Sequence, residues 1–165
     1  STLMRSSAAS DVYKRQDICR YLGLKTEIFT PFVCGAFTSL YSKDAVEASF
    51  AQGKIVFFAG GTGHPYFSTD TATVLRAVEI EAEAILLAKA VDGIYDSDPK
   101  TNPNAVKYDE ISIEEVVAKK LAAMDLTASI MCMEQKMPML VFALDEKDSI
   151  INAVHGKFVG TKVTV

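Results

Sequence analysis

From Asp17 onward, short apolar runs rich in β-branched and aromatic residues alternate with longer stretches of helical period. No other feature constrains the fold as much, because this alternation is the pattern of βα units wrapped around a largely parallel sheet. The predicted strands are Lys25 to Phe29, Ile55 to Ala59, Ile85 to Ala88, Met139 to Ala143 and Lys162 to Val165. Helices are predicted between them. Ser42 caps one that runs through Gln52 and stops at Gly53, and Thr71 to Ala82 carries Val74, Leu75, Val78 and Ala82 on one face. Ser112 and Glu115 have the spacing of a capping box before Val116, Val117 and Leu121. Two more helices are predicted at Leu126 to Gln135 and at Lys147 to Val154, the latter closed by Gly156. The expected fold class is α/β, a largely parallel sheet sandwiched by helices.

With 49% apolar residues among 165, the chain has enough apolar surface to offset the entropy of ordering, as one compact domain or two small lobes. The longest uncharged stretches, Ile28 to Ser42 and Ile55 to Thr69, are broken by Pro, Gly, Ser and Thr and fall short of the roughly 18 apolar residues a spanning helix needs, so no membrane partner is expected. A net charge of −4 provides no basic field for a polyanion, which argues against nucleic acid and confines phosphate binding to local sites. Cys19, Cys34 and Cys132 are odd in number and lack CxxC spacing, as in a reduced, cytoplasmic chain. The first sixteen residues, STLMRSSAASDVYKRQ, show neither a clear period nor the apolar region of a signal peptide, and are set apart as an unmatched segment.

Three segments suggest chemistry. In IVFFAGGTGHPYFSTDT an apolar strand runs into Gly60, Gly61 and Gly63 and then into a helix start, so that three of nine glycines fall within four residues. Glycines there let backbone N–H groups approach an anion, and the helix adds its positive end. Ser68, Thr69 and Thr71 add hydroxyls, and Asp70 is placed to cap the helix or to organise a cation. A glycine-rich turn before a capped helix would read the same way. Neither a Walker A loop nor GxGxxG is present. The second segment, AKAVDGIYDSDP, opens the stretch Val91 to Asp109, which lacks helical period and holds Gly93, Pro99, Pro103 and six Asp or Asn. A polar loop of this length inside a compact domain is usually functional. Asp92-Gly93 reads as a hairpin turn, and Lys89 stands at the carboxyl end of a strand, where open α/β sheets bind ligands. Tyr95 suits a base or the core, and Asp98 a loop start. In the third, Ala123-Met124-Asp125-Leu126, Asp125 reads as an N-cap. His64 and His155 have no metal-ligand spacing with the cysteines.

Taken together, in this order, the segments resemble the C-terminal two-thirds of bacterial-type UMP kinases, members of the amino-acid-kinase fold. The resemblance spans about Gly23 to Val165. GGTGHPYFSTDT at Gly60 to Thr71 is similar to the family's GGTGNPFFTTDT-like acceptor loop, with His64 at its usual Asn. Asp92 to Pro99 matches a DGVYxxDP-like loop lining the ATP site, and Met124-Asp125-Leu126 matches a VMDxxA-like turn. The resemblance implies that Thr62, Gly63, His64, Pro65, Tyr66, Phe67, Ser68 and Thr69 hold UMP. It further implies that Lys89, Tyr95 and Asp98 contact ATP, and that Asp70 and Asp125 act in catalysis by organising phosphates and Mg2+. Residues 17–83 would then belong to the UMP-binding lobe and residues 84–165 to the ATP-binding lobe. A homo-oligomer, hexameric in the family, is implied as well.

UMP kinases also carry a KxSGE-like lysine loop and a GGGN-like loop, and nothing in Ser1 to Leu22 resembles either. The expectation is therefore a fold truncated at its N-terminus and inactive as a catalyst alone, because phosphoryl transfer depends on charge neutralisation that the lysine loop supplies. Three alternatives remain at this point: another kinase of the same fold, a non-catalytic nucleotide binder, and an oxyanion-storage protein. The last would call for His and acidic clusters that two scattered histidines do not supply.

Overall fold

The computed structural model describes residues 2–157 and 159–165, with side chains described from Asp11 onward. It divides into two compact units, one through Ala72 and one from Thr73 to Val165, with the boundary inside the helix α3, Thr69–Glu79.

The first unit runs α1 (Thr2–Tyr21), β1 (Thr26–Thr30), β2 (Ser39–Leu40), α2 (Lys43–Ala51) and β3 (Ile55–Phe58). Its sheet has the order β2-β1-β3 and is parallel throughout. The central strand β1 is the most buried, with Ile28 and Phe29 sealed and the Phe29 ring 6.5 Å from that of Phe58. Its Glu27 forms a polar hub: Oε1 accepts Ser39 Oγ of β2 at 2.9 Å, and Oε2 accepts Ser49 Oγ of α2 at 2.8 Å and Lys54 Nζ at 2.7 Å. The Lys54 hydrogen bond, with help from both serines, holds the Glu27 carboxyl below its usual value against the opposing effect of burial. Ser42 caps α2 as expected, its Oγ accepting the Ala45 N–H at 3.2 Å, and Gly53 follows the helix at φ +68°.

The helix α1 covers most of the segment in which the sequence shows no period. Its apolar residues do not gather into a stripe, so hydrophobic patterning is silent there. From Thr2 to Tyr21 there is neither Gly nor Pro, and the helix ends where Gly23 donates to the Arg20 carbonyl at 2.9 Å. The side chains of the first ten residues of the unmatched segment lie outside those described.

The second unit continues with β4 (Ile85–Lys89), β5 (Glu110–Ser112), α4 (Ile113–Ala118), α5 (Leu126–Glu134), β6 (Met139–Ala143), α6 (Ser149–Val154) and β7 (Thr161–Thr164). The sheet order is β4-β6-β7-β5, parallel at both outer pairs and antiparallel between β6 and β7. Ile94, Ile113, Val116, Met139, Val141 and Val163 pack one core with Cys132. The α/β class with mainly parallel sheets flanked by helices is as expected. Ser112 caps α4 by accepting the Glu115 N–H at 3.2 Å, but the Glu115 carboxylate pairs with Lys119 at 2.6 Å instead, so only half of the expected box forms. The last helix begins at Ser149 rather than Lys147, behind Asp148 at φ +58°.

Candidate functional site

In the first unit the β3 strand ends and the chain turns through Gly60, Gly61 and Gly63 at φ +88°, +65° and +80°. Gly60 and Gly63 are required for a second reason. A Cβ at Gly63 would lie 3.0 Å from Pro31 Cβ and Cγ, and one at Gly60 would lie 3.1 Å from Pro31 Cδ and 3.2 Å from Phe32 Cζ. The turn after β1 is thus the floor on which the glycine loop rests. Past the glycines, the His64 N–H donates to Thr62 Oγ1 at 3.2 Å. Pro65, Tyr66, Phe67, Ser68 and Thr69 are exposed, and Tyr66 holds φ +69°. Ser68 caps α3: its Oγ accepts the Thr71 N–H at 3.0 Å and its carbonyl accepts the Ala72 N–H at 3.1 Å. Ser68 rather than Asp70 is therefore the cap, because Asp70 lies one residue inside the first turn, half-buried. A loop of left-handed glycines leading into a capped helix is a concentration of N–H groups suited to an anion.

In the second unit Lys89 stands at the carboxyl end of β4, and its Nζ donates to the Ala123 carbonyl, two residues before Asp125. The structure thus brings the β4 end together with the turn that opens α5. There Asp125 Oδ1 accepts the Ala128 N–H at 2.9 Å, the N-cap read from sequence.

The stretch from Val91 to Asp109 is a two-sided ladder. Tyr95 bridges Lys107 in antiparallel fashion, the Asp96 N–H donates to the Val106 carbonyl at 3.0 Å, and the Tyr108 N–H donates to the Ile94 carbonyl at 2.9 Å. The reading of Asp92-Gly93 as the hairpin turn is corrected here. Gly93 lacks the positive φ such a turn demands, and a Cβ on it would meet Thr161 Oγ1 at 2.7 Å and Lys107 Cδ at 2.8 Å. Glycine stands there to admit close neighbours. The reversal comes later, at Asp98, whose Oδ1 accepts the Lys100 N–H at 2.9 Å and whose carbonyl accepts the Thr101 and Asn102 N–H groups.

Across the ladder Tyr95 OH donates to Asp92 Oδ1 at 2.7 Å, and Lys107 Nζ reaches Asp92 Oδ2 at 3.1 Å. The Tyr95 hydrogen bond, then Lys107, holds the Asp92 carboxyl below its usual value, although burial opposes this. The same contacts push the Tyr95 phenol and the Lys107 ammonium up. Sequence reasoning missed Lys107, whose only signal is its register opposite Tyr95. Among the described residues no group of three or more His, Cys, Asp or Glu could hold a metal, and no helix is long and apolar enough to cross a membrane.

A model of the amino acid kinase family matches residues 16–143. The chain is similar to UMP kinase from Ureaplasma parvum at 31% identity and TM-score 0.91, over 98% of this chain and 69% of that one. It is also similar to UMP kinase from Bacillus anthracis at 32% identity and TM-score 0.82, over 86% of this chain and 59% of that one. An isopentenyl phosphate kinase, at 17% identity and TM-score 0.73, shares the fold. With its family model running from the end of α1 through β6, this chain belongs to the amino acid kinase family.

Proposed function

We propose that the chain carries the acceptor loop and the adenine-nucleotide segments of an ATP-dependent kinase that forms UDP from UMP. The observation that carries this reading is the Gly60–Thr69 loop, where three left-handed glycines deliver the chain to a Ser68-capped helix. Its N–H groups suit the phosphate of UMP, and the exposed Tyr66 and Phe67 suit a pyrimidine ring. The similarity to UMP kinases supports the same reading.

In the second unit Lys89, Tyr95 and Asp98 would receive ATP, with Lys89 close enough to the Asp125 turn to share the phosphates. A Mg2+ ion fits the donors present, because it is commonly held by one or two carboxylates and the nucleotide's own phosphates rather than by a protein cage. Asp125 is the carboxylate proposed for this in the second unit, and Asp70 is proposed for phosphate organisation in the first. The reaction moves the terminal phosphoryl group of ATP to a phosphate oxygen of UMP, leaving ADP. Little covalent help is needed from the protein, so positioning and charge neutralisation carry the rate. Such chemistry belongs in the cytoplasm, where nucleotides and Mg2+ are available.

Calorimetric titration of the 165-residue chain with UMP, CMP, AMP and Mg-ATP tests the reading. UMP is expected to bind more tightly than CMP or AMP, and Mg-ATP with a dissociation constant on the order of millimolar, about −4 kcal/mol. AMP binding as well as UMP, or no response to Mg-ATP, would overturn it.

A further inference from the structure

Thr161 opens β7 with its side chain fully buried, and one hydroxyl serves two distant backbone groups. Its Oγ1 accepts the Ile94 N–H at 2.8 Å and donates to the Tyr108 carbonyl at 2.6 Å. Ile94 and Tyr108 are also bonded to each other, so the three residues close a ring of hydrogen bonds at the base of the Val91–Asp109 ladder. The neighbours of these two residues are the groups of interest. Tyr95 follows Ile94, Lys107 precedes Tyr108, and Asp92 lies two residues before Ile94, joined to both side chains. Gly93 completes the fit, since any side chain there would collide with the Thr161 hydroxyl.

The latch itself cannot easily shift. Thr161 is in register with Val141 of β6, and Lys162 and Val163 continue into pairs with Glu110 and Ile111 of β5. Filling this space does not need a hydroxyl, since valine has nearly the same shape. What valine cannot do is accept one hydrogen bond while donating another. We propose that Thr161 is a positioning residue for adenine-nucleotide binding: by clamping the two sides of the ladder together at its base, it fixes where Tyr95 and the Asp92–Lys107 pair present themselves to the nucleotide. The inference rests on the reading of this loop as the ATP segment.

The test compares the unmodified chain with Thr161→Val, Thr161→Ser and, as a packing control on the same strand, Val163→Ala. Mg-ATP binding is followed by chemical-shift titration and the Ile94 amide by hydrogen exchange. Thr161→Val should weaken Mg-ATP by about tenfold and speed Ile94 exchange by at least about that factor, as expected when a buried N–H loses its acceptor. Thr161→Ser should restore both. Val163→Ala should lower the melting temperature yet leave Mg-ATP affinity within about threefold, because it removes core volume while both hydrogen bonds of Thr161 stay in place. Unchanged binding in Thr161→Val, or an equal loss in Val163→Ala, would overturn the proposal. Should Thr161→Val fail to fold, the unmodified chain still decides, because an Ile94 amide exchanging as fast as the same residue in an unstructured peptide would rule out the clamp. If the unmodified chain does not bind Mg-ATP while Ile94 exchange follows the expected order, the reading of the loop as an ATP segment fails and the clamp is purely structural.

Discussion

At the scale of single residues, Asp125 has two possible duties that substitution separates. Asparagine caps a helix about as well as aspartate, so Asp125→Asn should cost stability little, well under the roughly 0.5–2 kcal/mol of losing the cap altogether. If the carboxylate also serves phosphates or Mg2+, Mg-ATP binding should fall by about tenfold, the effect of losing one charged contact. Melting curves and titration on the same sample check this; a collapse in melting temperature with normal binding would make Asp125 a cap alone. The cysteines differ in a way that reagents can read. Burial pushes the Cys132 thiol up to about 11, whereas Cys34 is exposed, so a thiol reagent at pH 8 should label Cys34 rapidly and leave Cys132 untouched until the chain unfolds. Caps such as Ser42, Ser112 and Asp125 were legible in the sequence because a cap is decided within three or four residues. The reason for Gly93 was not. Its neighbour Thr161 contacts the next residue across a separation of 67 positions, and no local pattern encodes that.

At the scale of elements, Glu27 joins β2, α2 and the residue before β3 to the central strand. Glu27→Gln keeps the size but discharges the partner of Lys54, and should cost about 1–3 kcal/mol in urea unfolding, the penalty of a half-satisfied charged group. A loss near zero would mean that the serines and solvent compensate fully. The Val91–Asp109 ladder should respond to pH at both extremes. Asp92 titrates below its ordinary 3.8 when folded, so its contribution is present above about pH 4 and is lost as pH falls through the lowered value. Tyr95 and Lys107 titrate above their ordinary 10.0 and 10.5, so theirs is present below those values and is lost as pH rises through the raised ones. Amide shifts of Ile94 and Lys107 should therefore stay level between about pH 5 and 9 and move outside that range; a transition near neutrality would contradict the network. Five strands and five helices had apolar runs or caps long enough to read in sequence. The strands β2 and β5, two and three residues long, are too short to show a period, and α1 lacks an apolar stripe.

For the whole molecule, a net charge of −4 means that any nucleotide phosphate is held by local N–H groups and a few cations rather than by a broad field. Affinity for UMP should then change by less than about tenfold between 50 and 200 mM salt, in contrast to the factor of roughly 10³–10⁵ seen where six to ten phosphates are neutralised. Titrations at the two salt concentrations measure it, and a steep dependence would point to a basic surface that the sequence does not show. The sheet order β4-β6-β7-β5 also sets a timetable. Among the described strands β5 pairs only with β7, and Thr161 on β7 is what closes the base of the ladder. On a ribosome adding about 5–20 residues per second, Glu110–Ser112 waits roughly 3–10 s for its partner to be made. The ladder is therefore translated well before its latch, and in the nascent chain the segment bearing Tyr95 and Asp98 stays open to solvent and proteases until synthesis has passed Thr164.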